Sequence, residues 1–82
     1  MHGGGDNGLE TAVREFLASR FPGYQPGLGP DDPLDRVVDS LGLFDLVEWV
    51  EGNFGIRIPN EEFSPRRFSS IEAICNTINE FR

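Results

Sequence analysis

The chain has no lysine, one histidine and one cysteine among its 82 residues. Each shortage removes a class of chemistry. Without lysine there is no Ser–Lys nucleophile pair. The lone histidine, His2, stands in a glycine-rich N-terminal stretch, far in sequence from any serine that it would have to activate as a base. Cys75 alone forms no internal disulfide, and Cys75 with His2 falls short of the ligands of a zinc cage. Arginine supplies all 7 of the permanent positive charges, which against 14 acidic residues leave a net charge of −7. That balance argues against a nucleic-acid phosphate backbone, which needs clustered cations. It suits partners with basic docking surfaces. No apolar run approaches the roughly 20 residues of a membrane helix, and no signal peptide is evident. An intracellular, cytoplasmic protein without membrane contact is therefore expected.

What is present fits one small domain. A domain of this size has one thin core and little room for a deep catalytic cavity. Residues 1–8, rich in glycine, read as a mobile tail, and residues 9–82 as the domain. Asn7, with Glu10 three residues on, is the expected cap of a first helix. Leu9, Val13, Phe16 and Leu17 recur at helical spacing and predict its buried stripe. Pro22 and Gly23 end that repeat. Residues 22–35 hold four prolines and three glycines, which predicts an irregular loop pinned by Tyr24, Leu28 and Leu34.

A second helix is predicted from Ser40 to Phe54, closed by Gly55 as C-cap. At about 100° per residue, Leu43, Leu46, Val47, Val50 and Phe54 share one face. Leu41, Asp45 and Glu48 lie opposite, while Phe44 and Trp49 sit on the flanks. Core packing is the expectation for Trp49, and the pattern leaves Phe44 open. Ile56-Arg57-Ile58 before Pro59 reads as an extended linker. Ser64-Pro65 opens a short helical turn through Phe68. The last helix is expected to take Ser69 as N-cap and Glu72 as box partner, burying Ile71, Ile74, Cys75, Ile78 and Phe81. The predicted fold class is an all-α, small helical bundle.

Chemistry concentrates at Asp39-Ser40-Leu41, where a long loop meets the second helix. A serine there can simply cap the helix, and Asp39 can share that role. Equally, an exposed hydroxyl at a helix N-terminus is accessible to another enzyme, and the positive end of the helix dipole suits an attached phosphate. Catalysis by Ser40 itself fails for want of a base, which removes a small hydrolase from consideration.

Val38-Asp39-Ser40-Leu41-Gly42, followed by Leu46-Val47, Val50 and Phe54, resembles the acyl carrier protein family. The likeness continues through Phe54-Gly55-Ile56-Arg57-Ile58-Pro59, similar to the family's F-x-I-x-I-P, and resumes at Ser70-Ile71-Glu72-Ala73-Ile74. It spans about residues 9–80. The resemblance implies a four-helix bundle with a short third helix and a long loop between the first two. It implies a carrier without catalytic activity of its own. A phosphopantetheinyl transferase would esterify Ser40 with 4′-phosphopantetheine from coenzyme A, with Asp39 and Leu41 flanking the site. The arm's thiol would hold an acyl or aminoacyl group as a thioester. A loading ligase or acyltransferase and downstream synthases would be the partners of a monomer. The family's docking surface maps here onto Leu41, Phe44, Asp45 and Glu48, with Glu51 a further acid able to pair with basic partners. Gly42, Gly52 and Glu48 depart from fatty-acid carriers. Arg66 and Arg67, and a longer stretch between Pro59 and Ile71, also differ. Phe63-Ser64-Pro65-Arg66-Arg67-Phe68 looks instead like discrete carriers of specialised fatty-acid, polyketide or amino-acid activation pathways. An unmodified interaction module of the same shape is the alternative.

Overall fold

A computed structural model describes the backbone from Gly4 to Arg82 and the side chains from Gly8 onward. Three α-helices are present: α1 (Gly4–Arg20), α2 (Ser40–Phe54) and α3 (Ile71–Phe81). Two short 3-10 turns, Asn60–Glu62 and Pro65–Phe68, lie between α2 and α3. No strand occurs among the described residues. The all-α expectation agrees with this. Where a short helix is expected between α2 and α3, the described residues form the two 3-10 turns.

The stripe of α1 is buried as its spacing requires: Leu9, Val13, Phe16 and Leu17 are all in the core, joined by Phe21 just beyond the helix. The start of α1 differs from the sequence expectation. The helix runs back to Gly4, so Asn7 is inside it and is not its cap, and residues 4–8 are helical. Once a helix is nucleated, each added residue gains a backbone hydrogen bond, which carries the helix past a weak capping signal. Glu10 pairs with Arg14 one turn on, at 2.9 Å, instead of closing a capping box. Residues 1–3, with His2 and the start of the proposed tail, lie outside the described residues.

The helix α3 packs against α1 and against the turn Pro65–Phe68. Its face Ile71, Ile74 and Ile78 is fully buried, and Cys75 and Phe81 are half-buried against the same core. Its cap is Ser70, whose Oγ accepts from the Ala73 N–H at 3.0 Å. Ser69, the expected cap, ends the preceding turn and donates its hydroxyl to the Arg66 carbonyl at 2.9 Å. Two adjacent serines satisfy the capping pattern equally in sequence. The turn before them consumes the first and leaves the second to α3. Thr77, buried, donates to the Arg67 carbonyl at 3.0 Å and so fastens that turn to α3.

The loop between α1 and α2 is tied down at three points. Leu34 is buried, and its N–H donates to the Ser69 carbonyl at 2.9 Å. The Pro30 carbonyl accepts from the Glu72 N–H at 2.7 Å. Tyr24 packs on the core while its hydroxyl accepts from Arg14 at 3.1 Å. Leu28 also packs there. The helix α2 ends at Gly55, the left-handed residue (φ 65°), whose N–H returns to the Glu51 carbonyl. That conformation is cheap only for glycine.

Candidate functional site: the head of α2

The start of α2 is set by Asp39. Its backbone is extended, and its Oδ1 accepts from the Gly42 N–H at 2.7 Å. Ser40 is therefore the first helical residue and not the cap. The structure decides between the two capping readings that Asp39-Ser40 left open, because a carboxylate two atoms beyond the backbone reaches the third N–H of the helix. The consequence for Ser40 is direct. Its side chain is exposed, and none of the described residues is hydrogen-bonded to its hydroxyl. The first N–H groups of any helix lack intrahelical partners, and here only that of Gly42 is taken by the cap side chain.

Two contacts hold this helix start in place. The Leu34 carbonyl accepts from the N–H groups of Val37 and Val38, at 2.9 and 2.8 Å, making a tight turn that leads into Asp39. Gly42, buried on the inner side, lies against the Phe21 ring. A Cβ at Gly42 would stand 2.6 Å from Phe21 Cε1. Glycine here is a packing requirement that lets α2 approach the end of α1. The sequence showed only that an acid common in fatty-acid carriers is missing at this position.

Beside Ser40 lies a groove of about 300 Å³. Leu34, Val38, Leu43 and Phe68 line it with Pro33 and Pro65, and the polar Asp35, Asp39, Ser40 and Ser69 line it too. The loop, the head of α2 and the second 3-10 turn thus converge on one apolar slot that includes the candidate serine.

The outer face of α2 carries the two large exposed apolar side chains of the described residues, Leu41 at 78% and Phe44 at 65% exposure. The sequence left Phe44 open between core and surface, and it is on the surface. Asp45 and Glu48 are exposed beside them. Asp45 also meets Arg20 at 3.5 Å, an exposed pair of the kind that contributes little. Glu51 differs from these acids: it is half-buried, and its Oε2 accepts from the Ile58 N–H at 2.9 Å. It anchors the segment after α2, a role that the helical pattern did not reveal.

Phe63 was not singled out as a site residue. Its ring lies 6.4 Å from that of Phe44 and 6.0 Å from that of Phe68. It joins the exposed patch to the wall of the groove. Arg67, from the same segment, binds Glu80 at 2.6 Å and Glu62 at 2.9 Å and covers the Phe81 ring at 5.0 Å. Arg67 holds the Glu80 carboxyl below its ordinary range through that hydrogen bond. The contact with Glu80 crosses thirteen residues of sequence and leaves no local signal. Among the described residues no cluster of potential metal ligands occurs, and no helix is long and apolar enough to cross a membrane.

No protein-family model matches the chain, and no solved structure matches it significantly. A curated relative does. The chain is 26% identical over 77 residues to the probable acyl carrier protein PigG of Serratia sp. (strain ATCC 39006), covering 90% of this chain and 88% of that one. The similarity to that acyl carrier protein runs along nine-tenths of the chain, and the helical fold of the described residues accords with it.

Proposed function

We propose that the protein is an acyl carrier whose 4′-phosphopantetheine is esterified to Ser40. The observation that carries this reading is the free hydroxyl of Ser40. Asp39 does the capping, so Ser40 is exposed, not hydrogen-bonded to any described residue, and held at the positive end of α2. Similarity to a probable acyl carrier protein supports the carrier role in general. The arm, when attached, supplies the thiol on which an acyl or aminoacyl group is held as a thioester. The chain's own residues supply position. Asp39 and Gly42 fix the helix start, Leu34 fixes the approach of the loop, and the N-terminal dipole favours a phosphodiester.

Residues Leu41, Phe44, Asp45 and Glu48 form the docking face in this reading. Leu41 and Phe44 supply apolar anchors, and the acids steer basic partners into register. Glu51 contributes less, since its carboxylate is bound to the Ile58 N–H. The partners are a phosphopantetheinyl transferase, a loading ligase or acyltransferase, and downstream synthases of a specialised pathway. The protein acts as a monomer in the cytoplasm and has no catalytic activity of its own.

The test is an intact mass after incubation with coenzyme A and a broad-specificity phosphopantetheinyl transferase. The expected result is a gain of one phosphopantetheine in the native chain and none in Ser40→Ala. Because Ser40 is not the cap, Ser40→Ala is expected to change stability by less than about 0.5 kcal/mol. A gain in Ser40→Ala, or none in the folded native chain, refutes the assignment. The second result favours the unmodified interaction module.

A further inference from the structure

We infer that Arg20 divides the two exposed acids of the docking face into one that is free, Glu48, and one that is already occupied, Asp45, so that the face fits a partner presenting one cation at Glu48. The inference rests on Leu41, Phe44, Asp45 and Glu48 being the docking face. At about 100° per residue, Leu41, Phe44 and Glu48 fall within a strip about 60° wide, while Asp45 lies off its edge on the side of Gly42 and Trp49. That side faces α1. The Phe21 ring lies against Gly42, and Phe16 stacks on Trp49 at 4.5 Å. Arg20, the last residue of α1, is brought to Asp45 by the packing on either side of it.

Two contacts hold the guanidinium there. Its Nη1 meets Asp45 Oδ2 at 3.5 Å, and its Cζ sits 5.7 Å from the centre of the Phe16 ring. A cation over an aromatic face is attracted whether or not a carboxylate is near, so the ring keeps Arg20 beside Asp45 when the weak pair opens. Glu48 is exposed and has no ion-pair partner among the described residues. The two acids therefore offer different things. An incoming cation meets the full charge of Glu48, in line with the apolar anchors Leu41 and Phe44. At Asp45 it has to displace Arg20 and meets a like charge, an arrangement that rejects partners rather than holding them. Both side chains of the pair are about half in water, so it adds little to stability. Its effect is on what approaches.

The experiment measures initial rates of phosphopantetheine attachment to the whole chain, with coenzyme A and the broad-specificity transferase, at varied carrier concentration in low and high salt. In the native chain Glu48→Gln is expected to lower kcat/KM more than Asp45→Asn does. Arg20→Gln, which leaves Asp45 unpaired, is expected to raise kcat/KM about two- to fivefold at low salt, the range that exposed pairs of this kind command, through KM and not kcat. That gain shrinks in high salt. In the Arg20→Gln background, Asp45→Asn is expected to cost as much as Glu48→Gln. Arg20→Lys keeps the charge and is expected to keep the native order of the two acids. Arg57→Gln removes an exposed cation beyond the end of α2 and is expected to keep that order too, which separates the pair from the net charge. Equal losses for Asp45→Asn and Glu48→Gln in the native chain overturn the inference, as does an Arg20→Gln protein in which Asp45→Asn costs no more than before. If neither acid nor Phe44→Ala alters kcat/KM while the arm still attaches at Ser40, the docking reading fails and this inference with it, and the carrier reading stands. No attachment to the folded chain refutes the carrier reading and, with it, this inference.

Discussion

Trp49 and Phe44 sit on the two flanks of α2, and the sequence pattern treats them alike. The fold separates them. Trp49 is half-buried, stacked on Phe16 at 4.5 Å with the rings 14° apart, and meets Phe54 edge-on at 5.5 Å. Phe44 is largely exposed, with the half-buried ring of Phe63 its one aromatic neighbour among the described residues. The difference comes from what lies opposite. The Trp49 flank meets α1, a long helix with an aromatic waiting at Phe16. The Phe44 flank meets the short segment after Pro59, which covers less of the surface. Side chains of one type on one helix thus divide into a packing face and a contact face. An exposed large apolar pair such as Leu41 and Phe44 has a solvation cost that a binding partner would remove.

Mutations along α2 should follow that division. The largest loss is expected at Leu46, fully buried at the centre of the packing face. Leu46→Ala should destabilise by about 2–5 kcal/mol, read by urea or thermal unfolding. A loss below about 1 kcal/mol would mean that the packing face is loose. Gly42→Ala comes next. The added methyl collides with the Phe21 ring, so a cost of about 1–3 kcal/mol is expected despite the better helix propensity of alanine. A stabilised Gly42→Ala protein would show that α2 and Phe21 do not meet so closely.

Phe44→Ala tests the other face. Its stability should change by less than about 1 kcal/mol, since the ring is mostly in water already. The rate of a partner reaction, such as modification by the transferase, should fall instead. A large stability loss with an unchanged rate would move Phe44 to the packing side of the comparison.

The smallest effect concerns neither flank of α2 but the segment that faces Phe44. Arg67 lowers the pKa of Glu80 chiefly through their hydrogen bond. A carboxylate whose pKa is lower in the folded state contributes stability above its unfolded value, about 4.3. That contribution is lost as the pH falls through the folded value. The native melting temperature should therefore drop slightly more than that of Glu80→Gln between pH 5 and the acid limit of folding, a range set by about that carboxylate value. Glu80 is solvent-exposed and Arg67 only half-buried, so the difference is small and shrinks in salt. Parallel melting curves for the two proteins would remove Glu80 from the acid response.

Much of the site was legible locally. Ser40 at a helix start, the inward set Leu46 and Val50, the glycine stop at Gly55 and the short turn opened by Ser64-Pro65 all follow from residue type and spacing. These are governed by bonds and angles within a few residues, and sequence order fixes those directly. The start of α1 and the cap of α3 were misplaced for the same reason in reverse. Asn7 and Ser69 satisfy capping patterns, but neighbouring structure settled which candidate was used.

By itself the sequence determined the helical composition, the acidic charge, the absence of lysine and the likeness to acyl carriers. Only the tertiary structure decided that Asp39 caps α2 and leaves the Ser40 hydroxyl without a hydrogen bond to any described residue. It alone set Gly42 against Phe21, tied Glu51 to Ile58 and brought Leu34 and Phe68 to the same groove as Ser40. Those outcomes depend on which distant surfaces meet. Helical periodicity specifies the face that each helix buries, but not what it is buried against.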